Sequence, residues 1–492
     1  MDEESEEILE RMDTLVGGSG ISFVGMITKQ IIEAVTTLVL TMGVGAAAYG
    51  IVASVRRVVV FLSISAGGIY SGLTRTVPRH EKQSQNLIIT FSYLLILFIS
   101  LLIASVMFLF RSEIVSYTLL RAEDIRVIAL AGVMLIGLMQ VSVTGAVFKS
   151  FKQIKNLTIT ELISLPLFKL ILVGAVLIFF DHTVTNVVIA VAISYVSAAV
   201  FGFILMYRRT SYSISNISLD YDPLVEHIIF IVPNSVSSLT VMLQLFSYPV
   251  FMAVLLEPVA AGAFGVSLVL SPFVRWPLRA VNNIFPPIAT ELYDDDMKDV
   301  LNQLYKRTSR LILTVSLPIL CVFVLFYVEI ITLFSTEYAT FAIIVPLMAL
   351  GQLIAGAHGS VGLLLSMTDN ERKAMVLQTV ITPFLLATTY LLTVNYGVIG
   401  LSVSHLIAFT VNNMLELSLL KYAEGLFPFT VSQFKSVGLA LVLLIISFTL
   451  YFVIGFYISV IAFVLCSAVY YYVAFFYVFD SLDRKILSNY KP

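Results

Sequence analysis

Long apolar runs separated by short polar segments fill this chain of 492 residues. Each run is close to the ~20 residues that a helix needs to cross the hydrocarbon layer of a bilayer. The runs are unbroken and do not alternate as the strands of a membrane barrel do, so they indicate helices. The predicted spans cover about residues 17–40, 48–73, 87–110, 125–148, 157–180, 184–206, 228–254, 261–285, 308–333, 340–366, 374–395, 398–420, 432–455 and 457–479. We therefore expect an all-α membrane protein with fourteen transmembrane helices.

The segment 288–307, between the eighth and ninth spans, is too polar to cross a membrane. Its apolar residues recur as on one side of an amphipathic helix that lies at a membrane surface. They are Ile288, Leu292, Val300, Leu301 and Leu304. The acidic run Asp294–Asp296 fits a solvated loop equally well, and the sequence leaves both alternatives open.

Composition supports the membrane assignment, because 59% of the residues are hydrophobic and only 12% are charged. A soluble protein carries about 25% charged residues. The two cysteines, Cys321 and Cys466, lie in apolar runs and provide neither a disulfide framework nor a metal cluster. The sequence contains no nucleotide-binding GxxxxGK[ST] motif, no nucleophile elbow and no HExxH motif. We expect no enzymatic activity, no cofactor, no metal and no nucleic-acid partner.

The distribution of basic residues predicts the orientation. Of the 29 lysines and arginines, only Arg111, Arg121 and Arg126 fall in loops on one side, whereas most of the others fall in loops on the opposite side. Because cytoplasmic loops carry the excess of positive charge, both termini are predicted to be cytoplasmic. The protein is then expected in the cell membrane as a multi-pass protein.

The chain repeats itself at an offset of about 216 residues. Four correspondences occur in the same order, pairing Thr41–Gly50 with Leu256–Gly265, Phe110–Val115 with Phe326–Ile331, Gly145 with Gly362 and Pro166 with Pro383. A duplicated unit of six spans has both copies in the same orientation, related by an axis along the membrane normal. We expect two pseudo-symmetric six-helix lobes followed by two additional C-terminal helices.

The predicted organisation follows from these spans and the repeat. It comprises an acidic cytoplasmic N-terminus (1–16), an N-lobe (17–206), a cytoplasmic linker (207–227), a C-lobe (228–420), spans thirteen and fourteen (421–480) and a cytoplasmic tail (481–492).

The eighth span carries an unusual polar stripe in the stretch SPFVRWPLRAVNN. Arg275, Arg279 and Asn282 or Asn283 recur at helical spacing and share one face. Pro272, Pro277, Pro286 and Pro287 are predicted to break or bend the helix around this stripe. A cation inside a membrane costs about 2.5–3.5 kcal/mol on insertion scales, so it normally faces a cavity or a partner. We expect Arg275 and Arg279 to line a cavity.

Four further cations lie inside predicted spans of the first half, at Lys29, Arg56, Arg57 and Lys169, against one deep acid, Glu33. Lys29 and Glu33 are four residues apart, so they form an intrahelical ion pair or line a cavity, or do both in turn. Arg56 and Arg57 point about 100° apart, so only one of them can face a central axis squarely. This positive excess suits an anionic ligand such as a phosphate or diphosphate, because guanidinium groups bind it with paired donors.

Other polar residues inside the spans have ordinary structural explanations beside functional ones. His358 and His405 either relay protons or pack as satisfied histidines. Several amides either hydrogen-bond a sugar or hold helices together, namely Gln140, Asn234, Gln244, Gln352, Gln378, Asn412 and Asn413.

Four segments resemble one family when they are taken in order over about residues 15–480. They are Gly43–Gly50 followed by Arg56, Gly68–Arg79, Leu333–Gly351 and Asn395–Ala408. Together with the six-plus-six repeat they resemble the lipid-linked oligosaccharide flippase branch of the multidrug/oligosaccharidyl-lipid/polysaccharide exporter superfamily. The chain departs from the family at Ser335–Glu337, where a glycine is common, and this leaves the subfamily open.

The resemblance implies two lobes in an inverted V that alternate between inward-open and outward-open states. It implies a lipid-linked saccharide whose headgroup binds in a central cavity while the lipid tail stays in the bilayer. Lys29, Arg56, Arg57, Arg275 and Arg279 would hold the phosphate, with Glu33, Lys169, His358 and His405 as further cavity or coupling residues. 

The expected function is the flipping of a polyprenyl-(di)phosphate-linked saccharide across the cytoplasmic membrane, for surface polysaccharide or glycoprotein assembly. Membrane lipids and glycan assembly enzymes are the expected partners. The alternative is an ion-coupled multidrug or cation antiporter of the same superfamily, which should carry several deep acids in its first lobe.

Overall fold

The computed structural model describes residues 20–120, 125–213, 221–244, 247–282, 285–481 and 483–484, and all of the regular structure in these ranges is helical. Twelve helices within them are long and apolar enough to cross a membrane. The prediction of an all-α membrane protein is therefore confirmed. The N-terminus 1–16, most of the tail 481–492 and Asn283 lie outside the described residues.

Nine α-helices lie among the described residues of the first half of the chain, which is defined here as residues 20–213. They are α1 Gly20–Val44, α2 Ala46–Ser63, α3 Gly67–Thr76, α4 Lys82–Leu109, α5 Arg111–Ser116, α6 Ile125–Ser150, α7 Ile154–Leu157, α8 Leu165–Phe179 and α9 Val184–Arg209. A 3₁₀ turn, Ile64–Ala66, joins α2 to α3, and a π-helical segment, Thr158–Ser164, joins α7 to α8.

The second half, residues 221–484, continues with twelve helices among the described residues. They are α10 Asp222–Gln244, α11 Ser247–Leu255, α12 Pro258–Leu270, α13 Trp276–Val281, α14 Phe285–Asp294, α15 Lys298–Leu325, α16 Tyr327–Thr332, α17 Ile344–Ala357, α18 Val361–Met367, α19 Glu371–Glu424, α20 Val431–Ile454 and α21 Phe456–Tyr477.

The 54-residue α19 consists of two helices that meet at Gly397, where the backbone has φ 58° and ψ −136°. Only glycine adopts such angles readily, because it has no Cβ. The two parts of α19 correspond to the predicted spans at 374–395 and 398–420.

The prolines of the predicted eighth span interrupt its helix, as expected. The α-helix α12 ends at Leu270, and Ser271–Arg275 forms a 3₁₀ helix with Pro272 in its first turn. A new α-helix, α13, begins at Trp276 with Pro277 in its first turn. Proline has no N–H to donate, so the first turn of a helix, where that N–H would have no partner, is its most favourable position.

The polar segment 288–307 is helical on both sides of an exposed turn around Asp295. Its amphipathic pattern holds, but the apolar side packs against protein instead of a membrane surface. These side chains form a second hydrophobic core with α18 and the end of α19, made of Phe285, Ile288, Leu292, Val300, Leu301, Leu304, Val361, Leu364, Leu417 and Leu420 among others.

The two halves touch at the end of the bundle that contains Ala46 and Pro258, which the charge pattern predicts to face outside and which we call the outer end. There α2 crosses α12 so closely that a Cβ on Gly50 would lie 1.8 Å from the Pro258 carbonyl oxygen. The Leu119 N–H donates to the Ala253 carbonyl at 3.0 Å. The Tyr338 hydroxyl donates to the Ala46 carbonyl at 3.0 Å.

The halves also touch at the opposite, inner end, where α3 packs against α10. The ring of His227 on α10 is fully buried there. Its Nδ1 lies 2.7 Å from Thr76 Oγ1, and its Nε2 lies 3.1 Å from Ser92 Oγ. The segment α2–α3 thus contacts the second half along its whole length.

The last two helices, α20 and α21, pack on each other, and α20 packs on α15. Arg307 and Arg310 near the start of α15 form ion pairs with Asp480 and Asp483 beyond the end of α21. In the most apolar 18-residue stretch of each helix, only 17% of the residues of α20 and 22% of those of α21 are buried in the protein. The other apolar side chains of these helices are available to lipid.

Candidate functional site

Glu33 on α1 is the centre of a buried ionic cluster in the first half. Arg56 on α2 donates from Nη1 to Glu33 Oε2 at 2.7 Å. Lys169 on α8 donates from Nζ to Glu33 Oε1, and only 1% of Lys169 is exposed. We call these three residues the Glu33 cluster. The deep acid is therefore neutralised by cations from two other helices, which satisfies the rule that a buried charge needs a partner.

Lys29 and Arg57 lie beside the Glu33 cluster without joining it. Among the described residues, neither forms an ion pair with an acid. The intrahelical pair that the spacing of Lys29 and Glu33 permits is therefore not formed. Because Glu33 is already occupied, this region keeps an excess of positive charge.

The second half contains a cavity of about 530 Å³ whose walls come from α11 and from the segments that follow α12. We call it the second-half cavity. Polar side chains on its walls are Arg275, Arg279, Asn282, Ser360, Gln378, Thr382, Thr389, Asn412, Asn413 and Glu416. Tyr248 and Phe409 add aromatic surface, and Leu278, Ile381, Leu385 and Leu386 add aliphatic surface. The volume of this cavity and its combination of apolar and polar walls are typical of a small-molecule site.

Arg275 and Arg279 are the two cations of this cavity. Neither has an acidic partner within the described residues. The Arg275 guanidinium lies over the Phe409 ring, 5.6 Å from its centroid, and Arg275 Nε is buried without a hydrogen-bond partner there. The break at Ser271–Arg275 places Arg275 at the junction of the 3₁₀ and α-helical segments. Two unpaired guanidinium groups in one cavity provide donors for an anionic ligand.

Glu416 on α19 is the acid of the same cavity. Its Oε1 accepts a hydrogen bond from Gln378 Nε2 at 2.6 Å and another from Asn412 Nδ2 at 3.1 Å. Only 6% of Glu416 is exposed, and no lysine or arginine of the described chain pairs with it. The cavity thus has two cations and one amide-bound carboxylate.

The two predicted histidines lie in different surroundings. His405 is 5% exposed, with its ring 5.0 Å from that of Tyr248 and 4.7 Å from that of Phe409. Neither ring nitrogen of His405 has a hydrogen-bond partner in the described chain. His358 instead bonds through Nδ1 to its own helix, at Ile354 O (2.7 Å), and packs on Phe429.

The predicted site residues therefore fall into two groups. Arg275 and Arg279 meet in the second-half cavity, whereas Lys29, Arg56, Arg57 and Lys169 gather around Glu33. The groups are neighbours, because α13, which carries Arg279, packs against α1, which carries Lys29 and Glu33. Neither His358 nor His405 lines the cavity. Within the described residues, no group of three His, Cys, Asp or Glu could hold a metal ion.

Glu416 and Tyr248 line the cavity but do not stand out in the sequence. Glu416 lies near the end of a predicted span, where an acid needs no explanation. The two predicted spans on either side of Gly397 could have indicated the contact between Gln378 and Glu416. These two residues are 38 positions apart, and Gly397 lies midway between them. Residues equidistant from a turn face each other across antiparallel helices. Tyr248 stands in an apolar run and gave no signal.

A sequence profile of one family, described as polysaccharide biosynthesis protein, matches residues 44–343. This match covers more than half of the chain. The chain belongs to the polysaccharide biosynthesis protein family. Its α2, α3 and α12 and both arginines of the second-half cavity lie inside the matched region.

Solved structures share the fold of this family member at low sequence identity. A lipid II flippase, MurJ, in an inward closed conformation has a TM-score of 0.71 and 11% identity, with 92% of this chain and 98% of that chain covered. An inward-facing multidrug resistance MATE family transporter of the MOP superfamily has a TM-score of 0.70 and 14% identity, with 85% and 98% covered.

A third structure is a MOP superfamily transporter from Pyrococcus furiosus, described as having a binding pocket of reverse polarity that suggests a different function. Its TM-score is 0.58 at 15% identity, with 86% of this chain and 98% of that chain covered. No curated protein sequence matches this family member. The chain thus has the fold of the MATE and MurJ transporters.

Proposed function

We propose that this protein flips a polyprenyl-(di)phosphate-linked saccharide across the cytoplasmic membrane by alternating access. Membership of the polysaccharide biosynthesis protein family and the transporter fold support this proposal. The observation that carries it is the pair of guanidinium groups, Arg275 and Arg279, that line a 530 Å³ cavity without an acidic partner among the described residues. Cations at membrane depth are costly and mark the path of an anionic substrate.

The phosphate is proposed to bind Arg275 and Arg279 first, since these arginines have no competing acid in the described chain. Lys29 and Arg57 extend the clamp from the first half. Arg56 and Lys169 are held by Glu33, which serves as a resident counter-anion that a substrate phosphate replaces. His405, whose ring packs on Phe409 next to Arg275, is proposed as a coupling residue. His358 is the weaker candidate, because its Nδ1 is already bonded to Ile354 O.

The proposed architecture completes this mechanism. It has fourteen spans in two six-helix lobes, at residues 17–206 and 228–420, with spans thirteen and fourteen at 421–480 and both termini in the cytoplasm. Opening of the outer contacts between α2 and α12 would expose the clamp to the outside. Opening between α3 and α10 would expose it to the cytoplasm. Membrane lipids and glycan assembly enzymes remain the proposed partners.

The alternative of a multidrug or cation antiporter is less well supported. Its cargo would need a free deep acid in the first half, and Glu33 is already bound by Arg56 and Lys169. The protein is proposed to be a transporter without enzymatic activity.

Flipping in proteoliposomes tests the proposal. A fluorescent polyprenyl-phosphate saccharide or its diphosphate analogue is incorporated into the proteoliposome membrane, and dithionite quenches the fluorophores in the outer leaflet. We expect wild-type protein to flip one of them and Arg275→Ala and Arg279→Ala to be at least about tenfold slower, because each loses a charge-assisted clamp. Arg126→Ala removes an exposed arginine and serves as the matched control with an unchanged rate. A wild-type protein that moves neither lipid but exchanges a cationic dye for ions would overturn the proposal in favour of the antiporter.

A further inference from the structure

We infer that the second-half cavity is a subsite for the first sugar of the substrate, in which Glu416 accepts hydrogen bonds from sugar hydroxyls and favours a neutral sugar over an acidic one. This inference rests on the proposed function and specifies its substrate class.

The hydrogen bonds of Glu416 are the first step of the argument. A carboxylate has about four positions that accept hydrogen bonds. Gln378 and Asn412 both donate to Oε1, and no described residue donates to Oε2. The acid is 6% exposed and has no cationic partner in the described chain, so it needs further donors. Sugar hydroxyls are such donors.

The position of Glu416 is the second step. It shares one cavity with Arg275 and Arg279, so a ligand there meets cations on some walls and a carboxylate on another. A sugar phosphate fits this arrangement, with its phosphate on the arginines and its hydroxyls toward Glu416, Asn413 and Ser360. Aliphatic side chains at Ile381 and Leu385 offer surface to the C–H face of a sugar ring.

Selection by charge is the third step. A second carboxylate brought close to a buried one is repelled strongly, because the interior screens charges poorly. A uronic acid in this subsite would place its carboxylate near Glu416, whereas glucose or a similar sugar would place a hydroxyl there. Specificity then comes from a group that rejects the wrong ligand as well as from one that binds the right one.

Trp276 offers a direct readout of binding. It is the sole tryptophan of the chain and follows Arg275 directly. Its ring lies 4.4 Å from that of Phe273. Titrations of full-length protein in lipid nanodiscs would follow Trp276 fluorescence with three probes: inorganic phosphate, glucose 1-phosphate and glucuronic acid 1-phosphate.

We expect wild-type protein to bind glucose 1-phosphate at least about tenfold more tightly than inorganic phosphate. Glu416→Gln should lose that advantage, keep the Kd for phosphate, and bind glucuronic acid 1-phosphate more tightly than wild type. Gln378→Ala removes one hydrogen-bond donor to Glu416 and should also weaken the binding of glucose 1-phosphate. Arg279→Ala should weaken the binding of all three probes. Glu81→Gln, on an exposed acid, is the matched control and should bind like wild type.

Two results would overturn the inference. One is a Glu416→Gln variant that binds glucose 1-phosphate as wild type does, as expected if Glu416 only carries a proton. The other is a Glu416→Gln variant whose affinity for inorganic phosphate falls as strongly as its affinity for glucose 1-phosphate. The proteoliposome assay keeps the two proposals apart. Flipping without selective sugar binding overturns only the subsite, and selective binding without flipping overturns only the proposed function.

Discussion

The buried charge of Lys169 is stabilised by its ion-pair partner. Lys169 lies in a run of apolar residues and is 1% exposed, yet its Nζ binds Glu33 from α1. Removing one partner of a buried ion pair leaves an uncompensated charge and typically costs about 3–5 kcal/mol. The Glu33 cluster therefore contributes to stability only while it is complete.

A double-mutant cycle tests this cluster. Glu33→Gln alone should lower the thermal unfolding temperature in detergent, because Lys169 is left buried and unpaired. Lys169→Met combined with Glu33→Gln should be less destabilised than the sum of the two single changes. Scanning fluorimetry measures the four proteins, with Glu113→Gln as the exposed control. Strict additivity would show that the two residues do not interact.

Gly397 forms the sharp turn within α19, and a side chain at this position is expected to lower the free energy of unfolding. Nothing lies within 4 Å of a Cβ built at this position, so the strain comes from the backbone alone. Gly397→Ala should cost about 1–3 kcal/mol because φ is 58°. Gly438→Ala in α20 also meets open space but has helical geometry, so it should be neutral or stabilising. Equal unfolding temperatures for the two variants would contradict this account.

At the scale of elements, the crossing of α2 and α12 closes the outer end. Small residues let the two backbones approach, as they do between many membrane helices. A Cβ on Gly50 would lie 1.8 Å from the Pro258 carbonyl oxygen, and a backbone atom cannot rotate away. The two helices must therefore separate when Gly50 gains a side chain.

Gly50→Ala should shift the population toward an open outer end. Spin labels on Tyr117→Cys and Leu333→Cys, two exposed outer positions in different halves, report the separation by pulsed electron resonance. Cys321 and Cys466 are replaced first, so that only the introduced thiols are labelled. A longer distance is expected in Gly50→Ala and the wild-type distance in Gly438→Ala. An unchanged distribution in both variants would mean that the crossing absorbs the methyl group without opening.

At the scale of the whole molecule, the proposed alternating access requires the outer contacts to break in every cycle. The Leu119 N–H and the Ala253 carbonyl join the two halves at 3.0 Å. A disulfide between Leu119→Cys and Ala253→Cys should stop lipid flipping under oxidising conditions, and a reductant should restore it. The single variants should flip under both conditions. Full activity of the cross-linked protein would show that the outer contact does not have to open.

Much of the fold follows from the sequence, because hydrophobic length and proline position act locally. The helical class, the break at Pro272 and Pro277, and the amphipathic segment after Ile288 were all predictable from neighbouring residues. Ion-pair partners were not, because Glu33 lies 23 residues from Arg56 and 136 from Lys169. The nearer Lys29 was the natural candidate, and packing decided otherwise.

The sequence by itself determined that this chain is a helical membrane protein with cations at membrane depth. These properties depend on the local transfer of side chains between water and lipid, which each segment experiences on its own. Only the tertiary structure decided that Glu33 neutralises Arg56 and Lys169, and that Arg275 and Arg279 share a cavity with Glu416. The reason is physical, since charges act through space over a few ångströms, and the distance between two side chains depends on how separate helices pack.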